Sequence, residues 1–162
     1  MKEWLRKHLI KPERLKDEPI HRLLGDRLFD RDIWRISRRS ISGGLALGLF
    51  IAFTPTIPAQ MLLSAVGAIW LRVNLPIAIA ACWVTNPFTA VYIYFMEYRL
   101  GREIIGNLPG IFAVSDLENI GAVRRLFSHA TYVWTGGLIV GATVALIAYI
   151  IVRVIWRLLA RS

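Results

Sequence analysis

The chain has 162 residues, 56% of them hydrophobic, and a formal net charge of +9. Apolar and charged residues are segregated: residues 1 to 40 hold twelve of the twenty Lys and Arg, while Ser40–Leu71, Val73–Met96 and Leu126–Val152 carry no charged side chain. One domain of this length has too little polar surface to wrap three such runs, which excludes an ordinary soluble globule and points to a membrane protein.

The chain opens without a signal-peptide pattern. Met1–Ile10 alternates charged and apolar residues before Lys11-Pro12, so uncleaved insertion through its own spans is expected. Residues 1–39 read as a basic, helical arm on the cytoplasmic or interfacial side. Trp4, Leu5, His8 and Leu9 share one helical face, and Asp30 or Asp32 is placed to cap a further helix. The arm also carries seven acids, which argues against a nucleic-acid footprint. Arg35, Arg38 and Arg39 orient the first span toward the cytoplasm.

Residues 40–71 read as a broken helix hairpin. Two apolar arms flank Thr54-Pro-Thr-Ile-Pro58, and two prolines in four residues remove donors and clash with the preceding turn. Residues 73–98 repeat the pattern as a broken span interrupted at Thr85-Asn86-Pro87. Asn74-Leu-Pro76 starts a helix between the two regions. Glu97 adjoins the span core. An intramembrane acid there would imply proton coupling, whereas its neighbours Tyr98 and Arg99 favour an acid reaching out to the boundary.

Residues 101–130 read as a polar connector. Ser115-Asp-Leu-Glu118 has capping-box spacing and opens an amphipathic helix through Leu117, Ile120, Val123 and Phe127. Residues 132–152 are the clearest transmembrane helix, followed by a basic tail, 153–162, with Arg153, Arg157 and Arg161 on one face. Both termini are therefore expected in the cytoplasm. The simplest arrangement is a re-entrant hairpin followed by two crossings.

The fold class expected is an all-α membrane protein: short proline-broken or re-entrant helices, a C-terminal transmembrane helix and a helical N-terminal arm. Paired interrupted segments mark substrate sites in transporters. Thr54, Pro55, Thr56, Pro58, Gln60, Asn74, Thr85, Asn86, Pro87 and Thr89 are the candidate binding residues, and half-helix N-termini beside them suit an anionic head group. The function expected is transport or translocation of an anionic lipid or envelope precursor. The alternative is a non-catalytic scaffold or partner-binding protein of envelope biogenesis. Gly44-x-x-x-Gly48 and Gly137-x-x-x-Gly141 fit either a homo-oligomer seam or packing within one chain. The sequence holds no Ser-His-Asp set, carboxylate pair, phosphate loop or metal-ligand spacing. A non-enzyme without cofactor or metal is expected, with membrane lipids as partners and no nucleic acid.

The chain resembles the bacterial membrane family called domain of unknown function 2062. Arg38-Arg39-Ser40, Gly48-Leu-Phe50, the proline break with Gln60, Arg72-Val-Asn-Leu-Pro76, Trp83-Val-Thr-Asn-Pro87 and Tyr98-Arg-Leu-Gly101 carry the likeness. The family's first break reads Pro-x-Pro-Gly-Gln or close to it, whereas this chain has Pro55-Thr-Ile-Pro58-Ala59-Gln60, with alanine in the glycine's place. The resemblance implies a multi-pass bacterial inner-membrane protein.

Overall fold

The structure, a computed structural model, describes residues 31–106 and 121–160. Most of the expected arm, the capping box at Ser115 and the last two residues of the tail lie outside the described residues. Within them the fold is all-helical, without strands. A 3₁₀ turn (Arg31–Trp34) precedes five α-helices: α1 (Arg38–Ala52), α2 (Gln60–Leu71), α3 (Leu75–Cys82), α4 (Ala90–Gly106) and α5 (Ala122–Leu159).

Local chemistry explains most boundaries. Ser37 caps α1, its hydroxyl accepting from the Ser40 N–H at 3.2 Å. Asp32 lies inside the 3₁₀ turn and is not the cap of a longer helix. Residues 53–59, with Pro55 and Pro58, separate α1 from α2. Residues 83–89, with Pro87, separate α3 from α4. α2 stops where Arg72 turns left-handed, at φ 53°. Two residues later Asn74 caps α3, accepting from the Ile77 N–H at 3.0 Å.

Backbone approaches define the packing. α1 and α2 are antiparallel: Leu47 lies against Gly67, and the Asn74 N–H just beyond α2 donates to the Ser40 carbonyl at 3.0 Å. α3 runs parallel to α1, because Gly44 faces the Asn74 carbonyl and Gly48 faces the Ala78 carbonyl. A Cβ on Gly48 would stand 2.2 Å from that oxygen, so only glycine lets the two helices lie this close. α5 is antiparallel to α1, pairing Gly137 with Phe53 and Gly141 with Phe50. It is also antiparallel to α4, with Gly101 against the Tyr132 carbonyl and Gly136 against the Glu97 carbonyl. Both small-residue motifs are thus occupied by seams within one chain. α1 is the centre, between α3 and α5. A small core of Ile33, Ala68, Ile69, Val73, Leu75 and Ala78 closes one end.

Continuing the α1–α5 register brings Arg153 level with Arg38, about 20 Å from Phe53. Arg35, Arg38, Arg39, Arg72, Arg153 and Arg157 therefore share one end of the bundle. α4 leads away from it and carries Arg99, Arg102 and Glu103 past the far end of α1.

Two element bounds differ from expectation. α4 continues through Tyr98 to Gly106, so the connector is shorter than 101–130. α5 begins at Ala122, so Val123 and Phe127 belong to the long helix itself. α5 contains the one span, Leu126–Leu159, that among the described residues is long and apolar enough to cross a membrane.

Candidate functional site

The two interruptions meet. Gln60, the first residue of α2, donates from Nε2 to the Thr85 carbonyl at 2.7 Å, a buried contact between residues 25 positions apart. Gln60 is held there because α2 starts on it and packs against α3, which delivers Thr85 one turn past its end. The same junction holds polar atoms without a protein partner among the described residues: Gln60 Oε1, the Thr85 hydroxyl, and the Ser64 hydroxyl one turn further along α2. All three residues are buried. Buried polar atoms are ordinarily paired, so this junction has unused hydrogen-bonding capacity.

The other candidate residues are occupied with their own backbone. The Thr54 hydroxyl donates to the Ile51 carbonyl at 2.7 Å, and Thr56 lies beside it, 3.4 Å between the two hydroxyl oxygens. Asn86 Oδ1 accepts from the N–H groups of Phe88 at 2.9 Å and Thr89 at 3.2 Å. The Thr89 hydroxyl donates to the Val84 carbonyl at 2.7 Å and accepts from the Asn86 N–H at 3.0 Å. These contacts replace the helical hydrogen bonds lost at each interruption. Pro55, Pro58 and Pro87 shape the interruptions and bring no donor.

Asn74 stands apart from this cluster. It sits at the arginine end, where Oδ1 caps α3 and Nδ2 donates to the Arg35 carbonyl at 3.2 Å. Its side chain is committed to the turn.

Sequence reasoning missed two features. The first is a hollow of about 360 Å³ at the arginine end, lined by Asp32, Arg35, Ser37, Arg39, Ser40 and Arg72 together with Leu71. It opens at the N-terminus of α1, and the buried Ser40 hydroxyl has no partner there among the described residues. The second is Glu97. It does not reach outward: only 1% of it is exposed, and neither carboxylate oxygen has a partner among the described residues. Adjacent charges hid this. Residues two apart on a helix face opposite sides, so Glu97 faces α5 while Arg99 points out and lies over the Phe95 ring at 5.9 Å. The available signal was glycine: Gly101 one turn along α4, and Gly136-Gly137 on the partner helix.

A family model described as uncharacterized protein conserved in bacteria (DUF2062) matches residues 21–162. The chain belongs to this family. No curated protein and no solved structure matches it. The DUF2062 match covers every described residue, including both interruptions, the arginine end and Glu97.

Proposed function

We propose that this DUF2062 protein is a multi-pass inner-membrane protein that moves an anionic lipid or envelope precursor between leaflets. The re-entrant unit is the α1–α2 hairpin, which begins and ends at the arginine end. The interrupted pair α3–α4 makes one crossing and α5 makes the return. Two further features support membrane embedding. Only 11% of the most apolar stretch of α5 is buried, and large apolar side chains such as Phe88, Trp70 and Tyr92 lie on the outside. The exposed Thr143 hydroxyl donates to its own helix at Ile139, as a hydroxyl facing lipid must.

The observation that carries the translocation reading is the Gln60–Thr85 junction. It joins two interrupted segments and leaves the buried Thr85 and Ser64 hydroxyls as donors for an anionic head group when the junction opens. The hollow lined by Arg35, Arg39 and Arg72, with Asp32 the one acid among its lining residues, supports an anionic substrate, because guanidinium groups in excess at a helix N-terminus favour phosphate. The cytoplasm is the side assigned to this end, by its excess of arginine.

The test is lipid translocation in vesicles. The full chain, reconstituted with fluorescent phosphatidylglycerol, should make inner-leaflet probe accessible to an external quencher. Arg39→Gln with Arg72→Gln should slow this several-fold. Rates equal to those of protein-free vesicles would overturn translocation and leave the scaffold reading.

A further inference from the structure

Glu97 lies on the wall of a recess of about 430 Å³ between α4 and α5, and the rest of the wall is apolar: Phe53, Tyr92, Ile93, Met96, Leu100 and Val140. Leaving a carboxylate unpaired in such surroundings is costly. Among the described residues the surroundings also lack a compensating cation. Gly136, Gly137 and Val140 face it from α5, and Phe53 faces it from α1. Tyr94, one turn back on its own helix, interacts with it electrostatically. Arg99 is turned away to Phe95.

The backbone adds to the negative character. Phe53 is the C-terminal cap of α1, where the helix dipole is negative and carbonyl groups lack helical partners. The Phe53 carbonyl oxygen and a Glu97 carboxylate oxygen lie 2.4 Å and 3.2 Å from the point a Gly137 Cβ would occupy. Only glycine at 137 lets both acceptors pack this closely against the α5 backbone. A carboxylate beside a helix C-terminus attracts positive charge. An apolar recess around it attracts an apolar body.

We propose that this recess binds a lipophilic cation, a positively charged group on an apolar body, with Glu97 as its counter-ion and the Phe53 carbonyl as a second acceptor. Tyr92 and Met96 are exposed at its mouth, so the ligand enters from the lipid side of α4. A proton is the competing occupant of the same carboxylate. The site goes beyond lipid translocation and does not require it.

The experiment uses the purified full chain and two probes, tetraphenylphosphonium and the apolar reagent dicyclohexylcarbodiimide, which modifies protonated carboxyl groups. Wild type should bind the phosphonium and be modified at Glu97, and the phosphonium should protect Glu97 at least several-fold. Glu97→Gln should lose both signals. Val140→Trp fills the recess and keeps the carboxylate, so it should lose phosphonium binding and, like bound phosphonium, slow modification of Glu97; it also covers the case in which Glu97→Gln fails to fold. Repeating the modification in phosphatidylglycerol vesicles with and without phosphatidylethanolamine identifies the source of the cation. Protection by the aminolipid assigns it to a lipid, and protection by the phosphonium alone assigns it to a small molecule. Equal phosphonium binding by wild type and Glu97→Gln, or modification of Glu97 unaffected by either cation, would overturn the site.

Discussion

Gln60 Nε2 lies 2.7 Å from the Thr85 carbonyl oxygen and ties the start of α2 to the segment between α3 and α4. Neither interruption has another buried side-chain hydrogen bond to the other among the described residues. Gln60→Ala therefore leaves a buried carbonyl without a donor, which costs about 1–3 kcal/mol. Thermal unfolding in detergent should show a lower Tm for Gln60→Ala. Gln60→Glu should fall at least as far, because it replaces the donor with a carboxylate facing a carbonyl. A Tm unchanged in both variants would mean that the interruptions are not joined in this way.

Asn74 and Gln60 resemble each other as polar residues beside a proline turn, yet they predict different phenotypes. Asn74→Ala removes the α3 cap and the bond to Arg35, for a loss of about 1–2 kcal/mol. Asn74→Asp keeps the capping oxygen but turns a carboxylate oxygen toward the Arg35 carbonyl, so it should recover only part of that loss. Because the side chain serves the turn, the folded fraction of Asn74→Asp should translocate lipid at the wild-type rate. A rate loss in that fraction would return Asn74 to the substrate site.

The sequence reading and the structure coincide where one local rule decides the outcome. The apolar run after Tyr132 has only one helical solution of that length, so the long C-terminal helix was legible. Asn74 before Leu75-Pro76 likewise announced its helix. What could not be read is partner choice. Gly44 and Gly48 mark a face that permits close approach, but spacing does not say whether α3 or a second chain fills it. Glu97 was misjudged for a related reason. Its neighbours along the chain are polar, whereas its neighbours in space are glycines and a helix end. The Gln60–Thr85 contact was likewise hidden, since it depends on α3 running parallel to α1.

The glycine seams give a graded prediction. Gly136→Ala would put a Cβ 1.9 Å from the Glu97 carbonyl oxygen, and Gly48→Ala would put one 2.2 Å from that of Ala78. Backbone cannot yield as a side-chain tip does, so each should destabilise by about 1–3 kcal/mol. Gly121→Ala meets nothing within 4 Å and has φ −54°, which alanine adopts freely. Because Gly121 is the N-cap of α5, where glycine is preferred to alanine, the substitution should cost well under the other two, about 0.5 kcal/mol. Equal tolerance of all three in a stability assay would contradict the packing of α1 on α3 and α4 on α5.

Membrane sidedness offers the broadest check, because one register ties distant residues together. Arg39 at the start of α1 and Arg153 near the end of α5 lie at the same end, while Arg102 on α4 lies past the far end of α1. Cys82 is fully buried and its thiol donates to the Ile79 carbonyl at 3.1 Å, so it should resist a polar thiol reagent in the folded chain. In a Cys82→Ala background, Arg39→Cys and Arg153→Cys should react from one side of sealed vesicles, and Arg102→Cys from the other. On the proposed topology the first pair faces the cytoplasm. Arg39→Cys and Arg153→Cys reacting from opposite sides would break the even number of crossings. Arg102→Cys reacting with them would place α4 along the membrane surface, and Glu97 would then no longer lie at membrane depth.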